Sequence, residues 1–117
     1  MIKLVIPLKL TNWNDIINAN RINKFVGAKL KKREMGDISY FARNIPKIEQ
    51  YPIKITFIWH ITNTRSDLDN KSVKAILDCM QNLGKIENDN IAHINQITHK
   101  AIKDKTEYIE MIIENNS

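Results

Sequence analysis

Nothing in these 117 residues approaches the roughly 20 consecutive apolar residues of a membrane span, so no membrane partner is expected. Cysteine occurs once, at Cys79, which excludes an internal disulfide and points to a reducing, cytoplasmic setting. The opening MIKLVIPLKL is too short and too broken by lysine to read as a signal peptide. There is no glycine-rich phosphate loop and no G-x-S-x-G, which removes the usual nucleotide-loop and serine-hydrolase readings. His60, His93 and His99 fall in strand-like segments without ligand spacing, and no Cys–His set suggests zinc. Repeats, linkers and low-complexity tracts are missing too, which leaves residues 1–117 as a single domain.

What is present is charge, unevenly spread. The net +5 divides into +7 up to Lys54 and −2 from Ile55 onward. Arg21, Lys24, Lys29, Lys31, Lys32 and Arg33 follow one another with no acid among them. Such a run is either a solvated helix face or a surface for phosphate, and DNA is the partner the second reading implies.

Hydrophobic patterning gives the elements. Ile2 to Leu10 mixes β-branched residues with Pro7 and reads as a strand near a sheet edge. From about Asn23 to Asn44, Phe25, Ala28, Lys32 and Met35 have helical spacing, and Ile38, Phe41 and Ile45 continue an apolar stripe. Gly27 and Gly36 weaken that helix, and Pro46 ends it. In IKITFIWHIT, Ile53, Ile55, Phe57, Trp59 and Ile61 share one face of a strand. Val73, Ile76, Leu77, Met80 and Leu83 then follow a helical period, with Asp69 or Asn70 as the cap and Gly84 just past the end. Two strands, near residues 91–101 and 107–114, close the chain around the charged turn KDK. The expected order is β-α-β-α-β-β: an α+β fold with a single mixed sheet and helices packed on it.

The chemistry lies between the second strand and the helix after it. Asp67 and Asp69 stand two residues apart in TRSDLDN, where alternation can aim both carboxylates to one side. Asp89 follows the helix, roughly 20 Å from the pair along the helix axis. It joins them only if the chain doubles back, or from a second subunit. Clustered carboxylates suit a hard cation such as Mg²⁺, which activates water and stabilises the leaving oxygen of a phosphodiester. Lys74, with Lys71 and Asp78 on the same polar side of the helix, could touch the scissile phosphate. The bland reading makes Asp69 a cap and Asp67 a turn residue. A calcium loop starting at Asp67 is broken by Lys71 and Ser72.

The run Arg65-Ser66-Asp67-Leu68-Asp69-Asn70, then Lys74, Ile76-Leu77-Asp78, Leu83-Gly84 and Asn88-Asp89, resembles the RusA family of Holliday-junction resolvases. Asn18 to Lys32 is similar to phage-encoded members, so a phage or prophage origin in a bacterial host is implied. The resemblance implies a homodimeric endonuclease, Mg²⁺-dependent with Mn²⁺ as a substitute, that resolves four-way DNA junctions by paired symmetric cuts. It places the metal ligands on Asp67, Asp69 and Asp89 and the catalytic lysine on Lys74. Arg65, Asn70 and Lys71 would join the basic run in holding branched DNA. The interval from Asp69 to Lys74 is one residue longer than in bacterial members, which makes Lys71 a rival. Asn88 also stands where an acid is common. A C2 dimer matches the two-fold symmetry of a junction. The competing class is a basic DNA-binding module without catalysis.

Overall fold

The computed structural model describes residues 1–68 and 71–117, with Trp13 described by its backbone alone. Asp69 and Asn70 lie outside the described residues. The first strand, β1 (Ile2–Ile6), is shorter than the sequence pattern suggests, because the chain leaves the sheet at Pro7. It does lie at a sheet edge.

Next comes a helix that the sequence pattern does not suggest, α1 (Trp13–Ile22). Its asparagines are poor helix formers, so packing rather than propensity holds it. Ile16 is fully buried, and α1 lies along the following helix, α2 (Lys24–Ala42). Asn23 joins the two helices: its backbone N–H donates to the carbonyl of Ala19, and its side chain accepts from the N–H of Phe25 at 2.9 Å. One residue thus ends one helix and caps the next. Gly27 lets the two backbones approach, since a Cβ there would sit 2.9 Å from the backbone nitrogen of Asn20. The first half of α2 is therefore committed to α1 rather than to the sheet. This corrects the expected apolar stripe: Phe25 is 75% exposed, and the buried side of α2 is Gly27, Glu34, Ile38 and Ala42.

The remaining elements are β2 (Ile53–Ile61), α3 (Val73–Asn82), β3 (Ile94–Lys103) and β4 (Tyr108–Asn115). They give an α+β fold with one four-stranded mixed sheet in the order β1-β4-β2-β3. The chain order is β-α-α-β-α-β-β. β2 and β3 are parallel across the α3 crossover, while β4 inserts antiparallel between β1 and β2. β3 and β4 therefore flank β2 on opposite sides, and residues 104–107 cross over its C-terminal end.

One face of the sheet carries the core. Ile53, Ile55, Phe57, Trp59 and Ile61 alternate inward as their spacing predicts, with Leu4, Ile6, Ile109, Met111 and Ile113 beside them. Ile38 and Ala42 of α2 and Ala75, Ile76, Leu77, Cys79 and Met80 of α3 cover that face. Gly84 takes a φ of +71° just past α3, where glycine avoids the Cβ penalty. Among the described residues no helix is long and apolar enough to cross a membrane.

Candidate active site beyond the end of β2

In parallel β-α-β units, ligands usually bind beyond the C-terminal ends of the strands, where the loops enter the helices. Residues 62–72 form that loop here. Its first turn is local: the side chain of Asn63 accepts from the N–H of Arg65 at 2.9 Å, and the carbonyl of Asn63 accepts from Ser66 at 3.1 Å. Leu68 then packs against the core. Asp67, one residue earlier, is exposed and makes no ion pair among the described residues. Asp67 thus faces solvent beside an anchored leucine, and the expectation that Asp69 turns to the same side falls outside the described residues.

The cap of α3 differs from expectation. The helix begins at Val73, so the cap position belongs to Ser72, three residues after Asp69. Ser72 is buried, and its hydroxyl donates to the carbonyl of Thr11 rather than capping the helix. The cap expected at Asp69 or Asn70 falls outside the described residues. Lys71 precedes the helix and so does not share a helical face with Lys74 and Asp78. Its ammonium lies 6.0 Å from the centre of the Trp59 ring, a favourable cation–π placement. Lys74 is exposed and reaches Asp78 at 3.9 Å on the surface of α3. That pair is long and solvated, worth little to stability, and leaves the lysine able to move.

Asp89 does not join this loop within one chain. It is exposed in the turn before β3, and the carbonyl of His93 accepts from the N–H of Ile53, the first residue of β2. Asp67 follows the other end of that nine-residue strand. The two carboxylates therefore belong to opposite ends of the sheet, roughly 25–30 Å apart at about 3.3 Å per residue. Asn88 serves its own turn, accepting from the N–H of Asn90 at 2.9 Å. Among the described residues no group of three or more His, Cys, Asp or Glu is placed to hold a metal. Asp67 offers the hard oxygen donor that Mg²⁺ prefers, and the resemblance adds Asp69. Asp89 of the same chain does not reach this loop.

The basic residues divide into free and engaged cations. Arg21, Lys24, Lys29, Lys32, Arg33 and Arg65 are exposed. Lys31 is half-buried and pairs with Asp78 at 2.6 Å, which ties α2 to α3. Glu34, next in line after Arg33, is buried, and its carboxylate accepts from the N–H of Thr11. It is a structural residue within a basic helix.

Strand register brings forward a second polar cluster that the sequence did not suggest. His60 is 8% exposed, stacked on Tyr108 at 3.8 Å, with Asp104 at 3.0 Å on one ring nitrogen and Glu110 at 3.4 Å on the other. The N–H of Lys105, then the bond to His60, hold Asp104 below its usual carboxylate range. Burial works to raise Glu110, but hydrogen bonds from His60 and Lys3 outweigh it and leave it lowered. Burial, then the charges of Asp104 and Glu110, push the Tyr108 hydroxyl up. Glu107 lies beside this cluster, with Thr62 at 3.4 Å and Lys9 at 3.6 Å. Lys9, Trp59, His60, Asn63, Lys71 and Glu107 line a cavity of about 230 Å³ under the loop. This framework holds the end of β2 in place. The only signal for it in the sequence was the charge of residues 104–110, and pairing His60 with Tyr108 needs the strand order.

No protein-family model matches the chain, and a comparison with curated proteins finds no match either.

Proposed function

We propose that the protein is a Mg²⁺-dependent, structure-selective DNA endonuclease that acts as a homodimer on four-way junctions. The RusA resemblance of residues 65–89 supplies the reaction. The supporting observation is the acidic loop itself: Asp67 faces solvent beyond the C-terminal end of β2, in no ion pair among the described residues. Asp67 and Asp69 would hold the metal, with Asp89 supplied by a second chain. The bound cation would activate water and neutralise the leaving oxygen. Lys74, the exposed second residue of α3, would place its ammonium on the scissile phosphate as negative charge builds there. Arg65 and the exposed cations of α1 and α2 would hold the arms of the junction against the repulsion of the acidic loop.

A synthetic four-way junction and a linear duplex of matched sequence test this reading. Cutting of the junction is expected with Mg²⁺ or Mn²⁺, and binding without cutting in Ca²⁺. Full cutting in excess chelator, or equal cutting of the linear duplex, would refute it. Binding in every condition with no cutting in any would instead favour the non-catalytic DNA-binding module.

The division among the cations gives a separate expectation. Replacing Lys29, Lys32 and Arg33 together by alanine should flatten the dependence of log affinity on log salt by about 0.9 for each phosphate no longer neutralised. Lys31→Ala should register chiefly in the melting temperature, because that charge is engaged with Asp78. A triple variant with the parent slope would move the DNA surface away from α2.

A further inference from the structure

The outer side of α2 carries a pattern that neither the core nor the acidic loop uses. At 3.6 residues per turn, Phe25 and Tyr40 lie within about 60° of each other around the helix and roughly 22 Å apart along it. Lys29, Lys32, Arg33 and Gly36 lie between them on the same side. Phe25 is 75% exposed and Tyr40 59%, although large apolar rings are costly to leave in water. Each ring has a cation over it. The Lys24 ammonium is 5.6 Å from the centre of Phe25, and the Arg43 guanidinium is 4.7 Å from the centre of Tyr40. Lys29, Lys32 and Arg33 are exposed and in no ion pair among the described residues. Lys31 turns to the other side, where Asp78 holds it. Of the two acids in the helix, Glu34 is buried and Asp37 stands at the margin of this face.

Gly36 is the least expected member. Glycine in a helix interior is destabilising relative to alanine. Its φ is not positive, and a Cβ added there would meet nothing within 4 Å. Among the described residues nothing requires it, unlike Gly27, which admits α1, or Gly84, which takes a positive φ. A bare backbone between two rings and beside a row of cations suits a ligand that passes close across the helix.

We infer that this face of α2 is a track for an unpaired DNA strand. Bases stack on Phe25 and Tyr40, phosphates run along Lys29, Lys32 and Arg33, and the strand crosses the helix at Gly36. Aromatic platforms set among cations are what hold single strands, since every base has a π-face and every link carries a phosphate. A duplex can use the cations but not the rings, because its bases are already stacked on one another. The span between the rings equals about six steps of a stacked strand at about 3.4 Å each. An anionic membrane would use only one end of the pattern. Ile22, Phe25 and Val26 form an exposed apolar corner between α1 and α2, but the face beyond it is cationic and has no continuous apolar side to insert. The track goes beyond the holding of duplex arms: it gives the protein a preference for branched DNA with an unpaired segment, and it requires no cutting.

Fluorescence anisotropy with a labelled oligothymidylate of about 12 nucleotides tests this, in chelator so that no cutting intervenes. The parent should bind the probe, and Phe25→Ala and Tyr40→Ala should each weaken binding about tenfold. Affinity for a blunt duplex of the same length should stay close to that of the parent. Both positions are exposed, so both variants should melt with the parent. Phe25→Trp should retain the affinity and Phe25→Leu should not, which separates stacking from apolar contact. Gly36→Leu should raise the melting temperature and weaken oligothymidylate binding, because its side chain fills the path of the strand. Unchanged affinity in Gly36→Leu would overturn the crossing at the middle of the helix. Parent-like affinity in the Phe25→Ala/Tyr40→Ala double variant, or an equal loss on the duplex, would overturn the track. So would a parent that ignores the probe. Phe25-dependent binding of phosphatidylserine vesicles would then assign the corner to a lipid surface, and Phe25-dependent self-association in light scattering would assign it to a second copy. A protein that cuts junctions but fails these tests loses the track alone. One that passes them and never cuts keeps the track and loses the nuclease reading.

Discussion

Asp67→Asn and Asp69→Asn, made separately, should each slow junction cutting on the order of 10²–10³-fold while binding survives. Asparagine keeps the size of the side chain and removes the charge, so a loss of rate reports the metal and not the packing. Binding to the junction should hold or tighten, because a carboxylate that repels phosphate has gone. The melting temperature of Asp67→Asn should match the parent, as Asp67 is exposed and in no ion pair among the described residues, and asparagine serves as well as aspartate should position 69 cap the helix. The measurement is initial cutting rate and gel-shift affinity on the same junction, with a melting curve for each variant. A well-folded Asp69→Asn protein that cuts at the parent rate would end the metal assignment of this pair.

Lys74→Ala should come next in size, with cutting slowed about 10²-fold at nearly unchanged affinity. The contrast with Lys71 follows from their surroundings. Lys74 is exposed and held only by a 3.9 Å surface pair with Asp78, so it can swing onto a phosphate without loss to the fold. Lys71 is half-buried over Trp59, and its removal takes away the cation–π stacking that positions the loop. Lys71→Ala should therefore lower the melting temperature and weaken metal and DNA binding together, with a smaller effect on the cutting step at saturation. Single-turnover rates with both ligands saturating separate the two. A larger loss of cutting from Lys71→Ala under those conditions would transfer the role to that lysine.

The parts of this molecule that were legible in the sequence are those governed by short-range periodicity. β2 and α3 declared themselves because Ile53 to Ile61 alternates cleanly and Val73 to Met80 repeats at helical spacing. The edge position of β1 followed from Pro7. α1 was hidden because its asparagines argue against a helix, and what stabilises it is Ile16 and the close approach at Gly27, both long-range facts. Phe25 misled for the same reason: its spacing fits the stripe, but the first half of α2 faces α1. The insertion of β4 between β1 and β2, and with it the cluster around His60, depends on which strands meet, and spacing within one strand carries no such information. At the acidic loop the residue types and their order were plain. The wide separation of Asp89 from Asp67 was already implied by the length of α3, whereas the free edge beside them came only with the strand order.

Thr11 is gripped from two directions, its N–H by Glu34 in α2 and its carbonyl by Ser72 at the root of the acidic loop. Both grips are on main-chain atoms, so almost any side chain would serve at position 11. What must be preserved there is length. Removing one uncharged residue between Ile6 and Trp13 would leave every charged group in the chain and still slide α2 relative to the acidic loop. On the proposed nuclease reading, the expected product is a protein that clings to junctions and cuts them slowly or at the wrong bond: a gauge block taken out of a jig whose clamps are intact.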